Sequence, residues 1–246
     1  TAALSGNKAD LATLTTAGTD AITMTVTDAV TVAQFSTLDG MTNVGVILQG
    51  GISDTAANLA PSGTASSGLT NSTTQDADVA ITITGTAPTV TELNKIASLT
   101  TGVVTASISG NKTTLAGLTT ASTDAVTATV TDAVTVAEFN TLDGKTSVGV
   151  ILTGGVSDAA AAYASTTGTA TSGRTAIAAQ DGDAALTVTD AATVAQANSV
   201  ATATTGTVQF SGGITDSADA LGADGNLTSG YNAARADDSD VNVIIN

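Results

Sequence analysis

Residues 1–60 and 105–164 are two copies of one text, and this duplication limits what the chain can fold into more than any other feature. The stretch TAALSGNKADLATLTTAGTDAITMTVTDAV opens the chain, and TASISGNKTTLAGLTTASTDAVTATVTDAV begins at Thr105. The offset of 104 residues holds without a gap through Ala60 and Ala164, with roughly 70% of the pairs identical. The remainder repeats less faithfully: QDADVAITITGTAPTVTELNK from Gln75 answers QDGDAALTVTDAATVAQANS from Gln180. The expected organisation is one repetitive domain over 1–246, with large repeats at about 1–104 and 105–208 and a partial one at 209–246.

Each large repeat is built from smaller units. One kind of strand reads AITMTVTDA (21–29), VAITITG (79–85), AVTATVTDA (125–133) and AALTVTDA (184–191). Apolar residues and Thr alternate with period two, which marks a half-buried strand. Ile22, Met24 and Val26 are expected to face inward, and Thr23, Thr25 and Thr27 outward. A second kind reads VGVILQGGISD (44–54), GVVTASISG (102–110), VGVILTGGVSD (148–158) and GTVQFSGGITD (206–216). VNVIIN at 241–246 reads as one more strand of the first kind.

A short helix is expected between the two kinds. Thr31 with Gln34, Thr89 with Glu92, Thr135 with Glu138 and Thr193 with Gln196 all fit the capping box. There the Thr hydroxyl and the Glu or Gln side chain satisfy N–H groups that a helix start leaves open. Val32, Phe35 and Leu38 follow at helical spacing, as do their counterparts Val136, Phe139 and Leu142. Gly40 and Gly144 stand where a left-handed C-cap is expected. Asp54, Asp158 and Asp216 read as N-caps of further short helices, and Asn7 and Asn111 likewise. Ser/Thr/Gly-rich inserts at 61–75, 165–180 and 223–237 read as surface loops or weak helices.

Strand, helix, strand, helix with short joints implies parallel strands and right-handed crossovers. The expected fold is α/β, a right-handed parallel solenoid of strand–short helix units. The alternative is a two-sheet β-solenoid with short helices at its corners. The core must be thin, because aromatics are 2% of the chain and Trp is absent.

Charge narrows the partners. The 22 acids against 6 bases give −16, and all acids but Glu92 and Glu138 are Asp. Such a surface repels nucleic acid and anionic lipid. No apolar run is long enough to span a bilayer, so no membrane insertion is expected. With neither His nor Cys, the commonest general base and the thiolate ligand are missing. The bases are scattered, and Glu92 and Glu138 are accounted for as capping partners, so no catalytic residue is assigned. A chain beginning at Thr1 reads as a processed product or as a segment of something longer.

Three patterns could carry binding. Asp76-x-Asp78, Asp181-x-Asp183 and Asp238-x-Asp240 stand before strands. Stacked one coil apart, they could form a column of hard oxygen ligands for Ca²⁺; turn formation and local hydrogen bonding to the backbone are the plainer reading, since no calcium-loop motif accompanies them. The Thr rows could form a flat T-x-T array similar to that of ice-binding solenoids, or reflect β-propensity on a wet face. Asn71-Ser-Thr73, Asn111-Lys-Thr113 and Asn226-Leu-Thr228 fit the N-glycosylation triplet.

The unit VTDAxTVAxxNxLDxxTxVGV…DTAANLA resembles the repeats of very large bacterial, especially cyanobacterial, surface proteins with β-strand repeats. The resemblance covers nearly the whole chain. It implies an extracellular or cell-surface setting and a non-enzymatic structural role, a fibre or layer formed end to end. An adhesin stalk recognising glycans or another surface protein is the alternative, and an ice-binding protein a more remote one. The chain's first and last strands are expected to expose edges that invite stacking.

Overall fold

The computed structural model describes residues 2–223 and 226–246. The first strand is Ala2–Gly6; residues 224 and 225 of the third insert lie outside the described residues. The chain forms two compact units. One comprises Thr1–Ile108, Gly117–Thr127 and Lys145–Val148; the other comprises Ser109–Ala116, Ala128–Gly144 and Gly149–Asn246.

Both units are mixed α/β with parallel strands. In the first, Ala2–Gly6 pairs with Ile22–Val26, and Ile22–Val26 pairs with Val46–Ile47. A second set runs from Ile52–Thr55 to Ile81–Thr84, and Ile81 pairs onward with Val104. In the second unit Ala128 pairs with Val150. Leu186–Val188 lies between Val156–Asp158 and Val208–Phe210. Val243–Ile245, expected from VNVIIN, pairs with Ile214–Asp216. Met24 and Val26 are buried as predicted, but Ile22 is half-buried like Thr23 and Thr25, and the exposed Thr27 lies just past the strand.

Strands of the second kind divide where Gly-Gly falls. Val46–Ile47 belongs to one sheet and Ile52–Thr55 to the next. The glycines do different jobs. A Cβ on Gly50 would lie 2.2 Å from the carbonyl carbon of Asp28, and one on Gly154 would lie 2.2 Å from that of Asp132. Gly51 and Gly155 have φ of 76° and 73°, the left-handed region that glycine enters freely. The doublet lets two backbones touch and then turns the strand. An antiparallel pair, Gly222–Ala223 with Asn226–Leu227, has no counterpart in the sequence reading.

All four capping boxes form, on helices Val32–Asp39, Val90–Ala97, Val136–Asp143 and Val194–Ala201. Phe35, Leu38, Phe139 and Leu142 are buried beneath them. The left-handed C-cap does not form: Gly40 and Gly144 both have φ −66°. The helix instead closes with tight turns, Met41 N–H to Leu38 O at 3.0 Å and Thr42 N–H to Asp39 O at 3.3 Å. These satisfy the last carbonyls, so no residue need turn left-handed.

Each insert is a packed helix: Ser67–Gln75, Ser172–Gln180 and Ser229–Asp237. Ser66, Thr171 and Thr228 cap them. Ser67–Gln75 buries Leu69, Ser72 and Thr73. Gly173 lets the second insert helix lie against Val136–Asp143, because a Cβ there would meet Val136 Cγ1 at 2.3 Å. The composition of the inserts reflects close helix contact as much as surface exposure.

Candidate functional site

The chemistry-bearing side chains of this protein point at its own backbone. Asp54, Asp158 and Asp216, expected to cap the helices that follow them, do not. Those N-caps are Thr55, Ala159 and Ser217. The aspartates reach back 22 residues and accept the first N–H of the capping-box helix. Asp54 Oδ2 takes Val32 N–H, Asp158 Oδ2 takes Val136 N–H and Asp216 Oδ2 takes Val194 N–H, each at 3.0 Å. A carboxylate at a helix start gains from the partial positive charge there. Asp54 is only 5% exposed and is further held by Thr55 N–H and Asn58 Nδ2.

A second set works the same way. Asp28 Oδ1 accepts Lys8 N–H at 2.7 Å, Asp132 Oδ1 accepts Lys112 N–H at 2.6 Å, and Asp190 Oδ1 accepts Ala160 N–H at 2.6 Å. These are the aspartates of the VTDA segments. Asn7 and Asn111 cap locally as expected, accepting Asp10 N–H and Thr114 N–H. Threonines form a third set that the sequence reading missed. Thr42, Thr100 and Thr204 donate to Ile22 O, Val79 O and Ala184 O at 2.6–2.7 Å. Each accepts the N–H two residues on. The one signal available was a Thr recurring just before each strand of the second kind.

The calcium candidates fall in three equivalent places. Asp76, Asp181 and Asp238 are the C-cap residues of the three insert helices. Each carboxylate accepts a strand N–H: Asp76 from Leu48 at 2.6 Å, Asp181 from Leu152, and Asp238 from Phe210 at 2.7 Å. Asp78 and Asp183 approach the carboxyls of Asp76 and Asp181. Asp238 and Asp240 line a cavity of 140 Å³ together with Gln209 and Ser211. Burial, together with the neighbouring acid, pushes Asp76 and Asp181 above the usual carboxylate range. Among the described residues no three acids come together in a way that could hold a metal.

The two glutamates are held low. Thr89 N–H is the main cause for Glu92, and Thr135 N–H followed by Lys112 for Glu138. Lys112 Nζ lies 3.1 Å from Glu138 Oε2 above a cleft of 320 Å³ floored by Leu142. The equivalent cleft at Lys8, Gln34 and Leu38 measures 220 Å³. In the first cleft the lysine and the glutamate are paired with each other, and in the second Gln34 stands where the first has Glu138. Arg174 Nε is buried without a partner.

The outward Thr rows are interrupted. Thr25 pairs with Ile47, Thr129 with Ile151 and Thr187 with Gln209, whereas Thr82 has Thr105 beside it. Of the glycosylation triplets, Asn71 lies exposed within a helix and Asn111 Oδ1 is engaged in its cap. No helix among the described residues is long and apolar enough to cross a membrane. Comparison with protein-family models, with curated proteins and with solved structures yields no match to this chain.

Proposed function

We propose that this protein is a non-enzymatic structural element of a cell surface or extracellular matrix, built as a right-handed parallel solenoid and assembling end to end. The observation that carries this reading is where the polar side chains go. Nine aspartates in three sets accept backbone N–H groups 20–30 residues away in sequence, a row of threonines donates to carbonyls about 20 residues away, and four capping boxes close their own helix starts. A chain that commits its acids and hydroxyls to its own frame keeps few for a substrate. The repeated register, with each strand beside one 20–30 residues on, is what a one-strand-per-coil solenoid requires. The sequence resemblance to β-strand-repeat surface proteins agrees with this reading.

One apolar strand edge is open. Strand Val243–Ile245 is hydrogen-bonded to Ile214–Asp216, and its Ile244 and Ile245 are 58% and 65% exposed. An open apolar strand edge accepts a further strand, from more of the same chain or from a second copy. Electron microscopy and small-angle scattering of the purified protein test the reading. Elongated particles that join at their ends are expected. Compact monodisperse monomers at all concentrations would overturn it.

A further inference from the structure

The first and last strands each have a counterpart that is already paired inside the chain. Residues 1–8 read TAALSGNK and residues 105–112 read TASISGNK, identical at six of eight positions. The two stretches are held alike. Asp28 and Asp132 take the N–H groups of Lys8 and Lys112, and Thr27 and Thr131 donate theirs to Gly6 O and Gly110 O, both at 3.0 Å. The last strand matches Ile81–Thr84 in the same way. DADVAITIT (76–84) answers DSDVNVIIN (238–246). Val243 pairs with Ile214 as Ile81 pairs with Ile52. Asp238 accepts the Phe210 N–H as Asp76 accepts that of Leu48.

Inside the chain these two counterparts are neighbours. Val104–Gly110 lies parallel beside Ile81–Thr84, with Ile81 opposite Val104 and Thr82 opposite Thr105. Among the described residues the outer strands lack that neighbour: Ala2–Gly6 pairs with Ile22–Val26 alone, and Val243–Ile245 with Ile214–Asp216 alone. Exposure follows. Ile108 is 4% exposed and its counterpart Leu4 is 37% exposed; Ile81 is 0% exposed and its counterpart Val243 is 36% exposed. Each outer edge is thus one half of a joint that the chain makes once internally. Both halves belong to the same chain, so a second copy carries the half that each edge lacks.

We propose that a second copy docks on the last strand by this joint: its Ala2–Gly6 lies parallel beside Val243–Ile245, with Ala2 opposite Ile245 and Ala3 opposite Asn246, which continues the register of Ile81 with Val104. This docking rests on the end-to-end reading and adds to it the partner strand, its direction and its register. Between its two paired strands the chain also inserts the helix Val90–Ala97, with Leu93 and Ile96 buried. Two copies have no such helix at their contact, so the docked pair is weaker than the internal one. The two docking surfaces differ, so each contact leaves one of each free for a further copy.

Single cysteines report the register, because the chain has none of its own. Neighbouring strands lie about 4.8 Å apart, within the Cα separations of roughly 4.4–6.8 Å that a disulfide spans. Ala3, Ser5 and Asn246 are all exposed. The Ala3→Cys chain mixed with the Asn246→Cys chain under mild oxidation is expected to give about tenfold more heterodimer than Ser5→Cys mixed with Asn246→Cys, because Ser5 lies about 6.6 Å further along the strand. Separate chains carry the two cysteines, so only a bond between copies is scored. Sedimentation velocity at rising concentration is expected to show larger species for the native chain and a monomer for Ile244→Lys/Ile245→Lys, since a lysine edge disfavours a further strand. Equal heterodimer yields from the two mixtures, with the native chain still associating, overturn this joint and leave the end-to-end reading standing. A native chain that stays monomeric at every concentration overturns both. The cysteines replace exposed residues, so a lysine variant that fails to fold leaves the cross-linking decisive.

Discussion

At the scale of single residues, the glycines separate positions that the backbone dictates from positions it tolerates. Gly154 is dictated: a Cβ there would lie 2.2 Å from the Asp132 carbonyl carbon, and its turn is held between strands Val150–Leu152 and Val156–Asp158 by its own N–H to Val130 O. Gly154→Ala is expected to cost more than about 2 kcal/mol by urea unfolding. Gly40 looks equally conspicuous in sequence, but its φ is −66° and a Cβ would meet only Ser36 O at 3.5 Å and Thr37 O at 3.6 Å. Gly40→Ala should be neutral or stabilise by up to about 1 kcal/mol, because it restricts the unfolded chain without strain. Equal effects of the two changes would show that the close approach at Gly-Gly does not constrain the fold. The contrast also shows why the expected left-handed cap was misplaced. A Gly after a helix is a statistical stop signal, whereas the Gly-Gly positions answer to a backbone 22 residues away that no local window includes.

At the scale of elements, what was legible depended on the reach of the interaction. Thr31 and Gln34 are three residues apart, so the capping box could be read directly, and all four are present. Period-two alternation likewise exposed the buried faces of Ile22–Val26 and Ala125–Val130. The aspartates were recognised as caps, but of the wrong helix. Nothing local to Asp54 announces Val32, which becomes its neighbour only once the strands are paired. The inserts were harder still, since Ser, Thr and Gly favour loops until a partner helix rewards their small size. The long-range cap can be weighed directly. Asp54→Ala strands the N–H of Val32 and removes the partners of Thr55 and Asn58 at a buried position. A loss of about 3 kcal/mol is expected. Asp158→Ala should cost less, since Asp158 is half-buried and accepts from Val136 and Ala159, with Ala162 standing where Asn58 reinforces Asp54. The comparison is with Asp219→Ala, an exposed acid in a helix first turn. If all three cost the same in urea unfolding, the aspartates do not act through the caps.

At the scale of the whole molecule, the acids that cap also repel. The net charge is −16, and among the described residues only Lys8–Asp28 at 3.9 Å and Lys112–Glu138 at 3.1 Å form ion pairs. Both pairs are partly exposed and are worth little in water. The carboxylates are fixed by hydrogen bonds to backbone, which screening scarcely weakens, whereas repulsion among them falls with the Debye length, about 10 Å at 0.1 M salt. Salt should therefore stabilise this protein, the reverse of what a frame held by surface ion pairs would show. Raising NaCl from about 20 mM to about 0.5 M is expected to lift Tm by roughly 5 °C. The same melting experiment measures calcium. Ca²⁺ takes six to eight oxygens, and the aspartate pairs offer two carboxyls of which one is already bonded to a strand N–H. CaCl₂ at matched ionic strength should do no more than NaCl, and a chelator should change nothing. An increment specific to calcium would instead assign the Asp-x-Asp pairs to the metal, and a Tm that falls with salt would mean that attraction, not repulsion, dominates the surface.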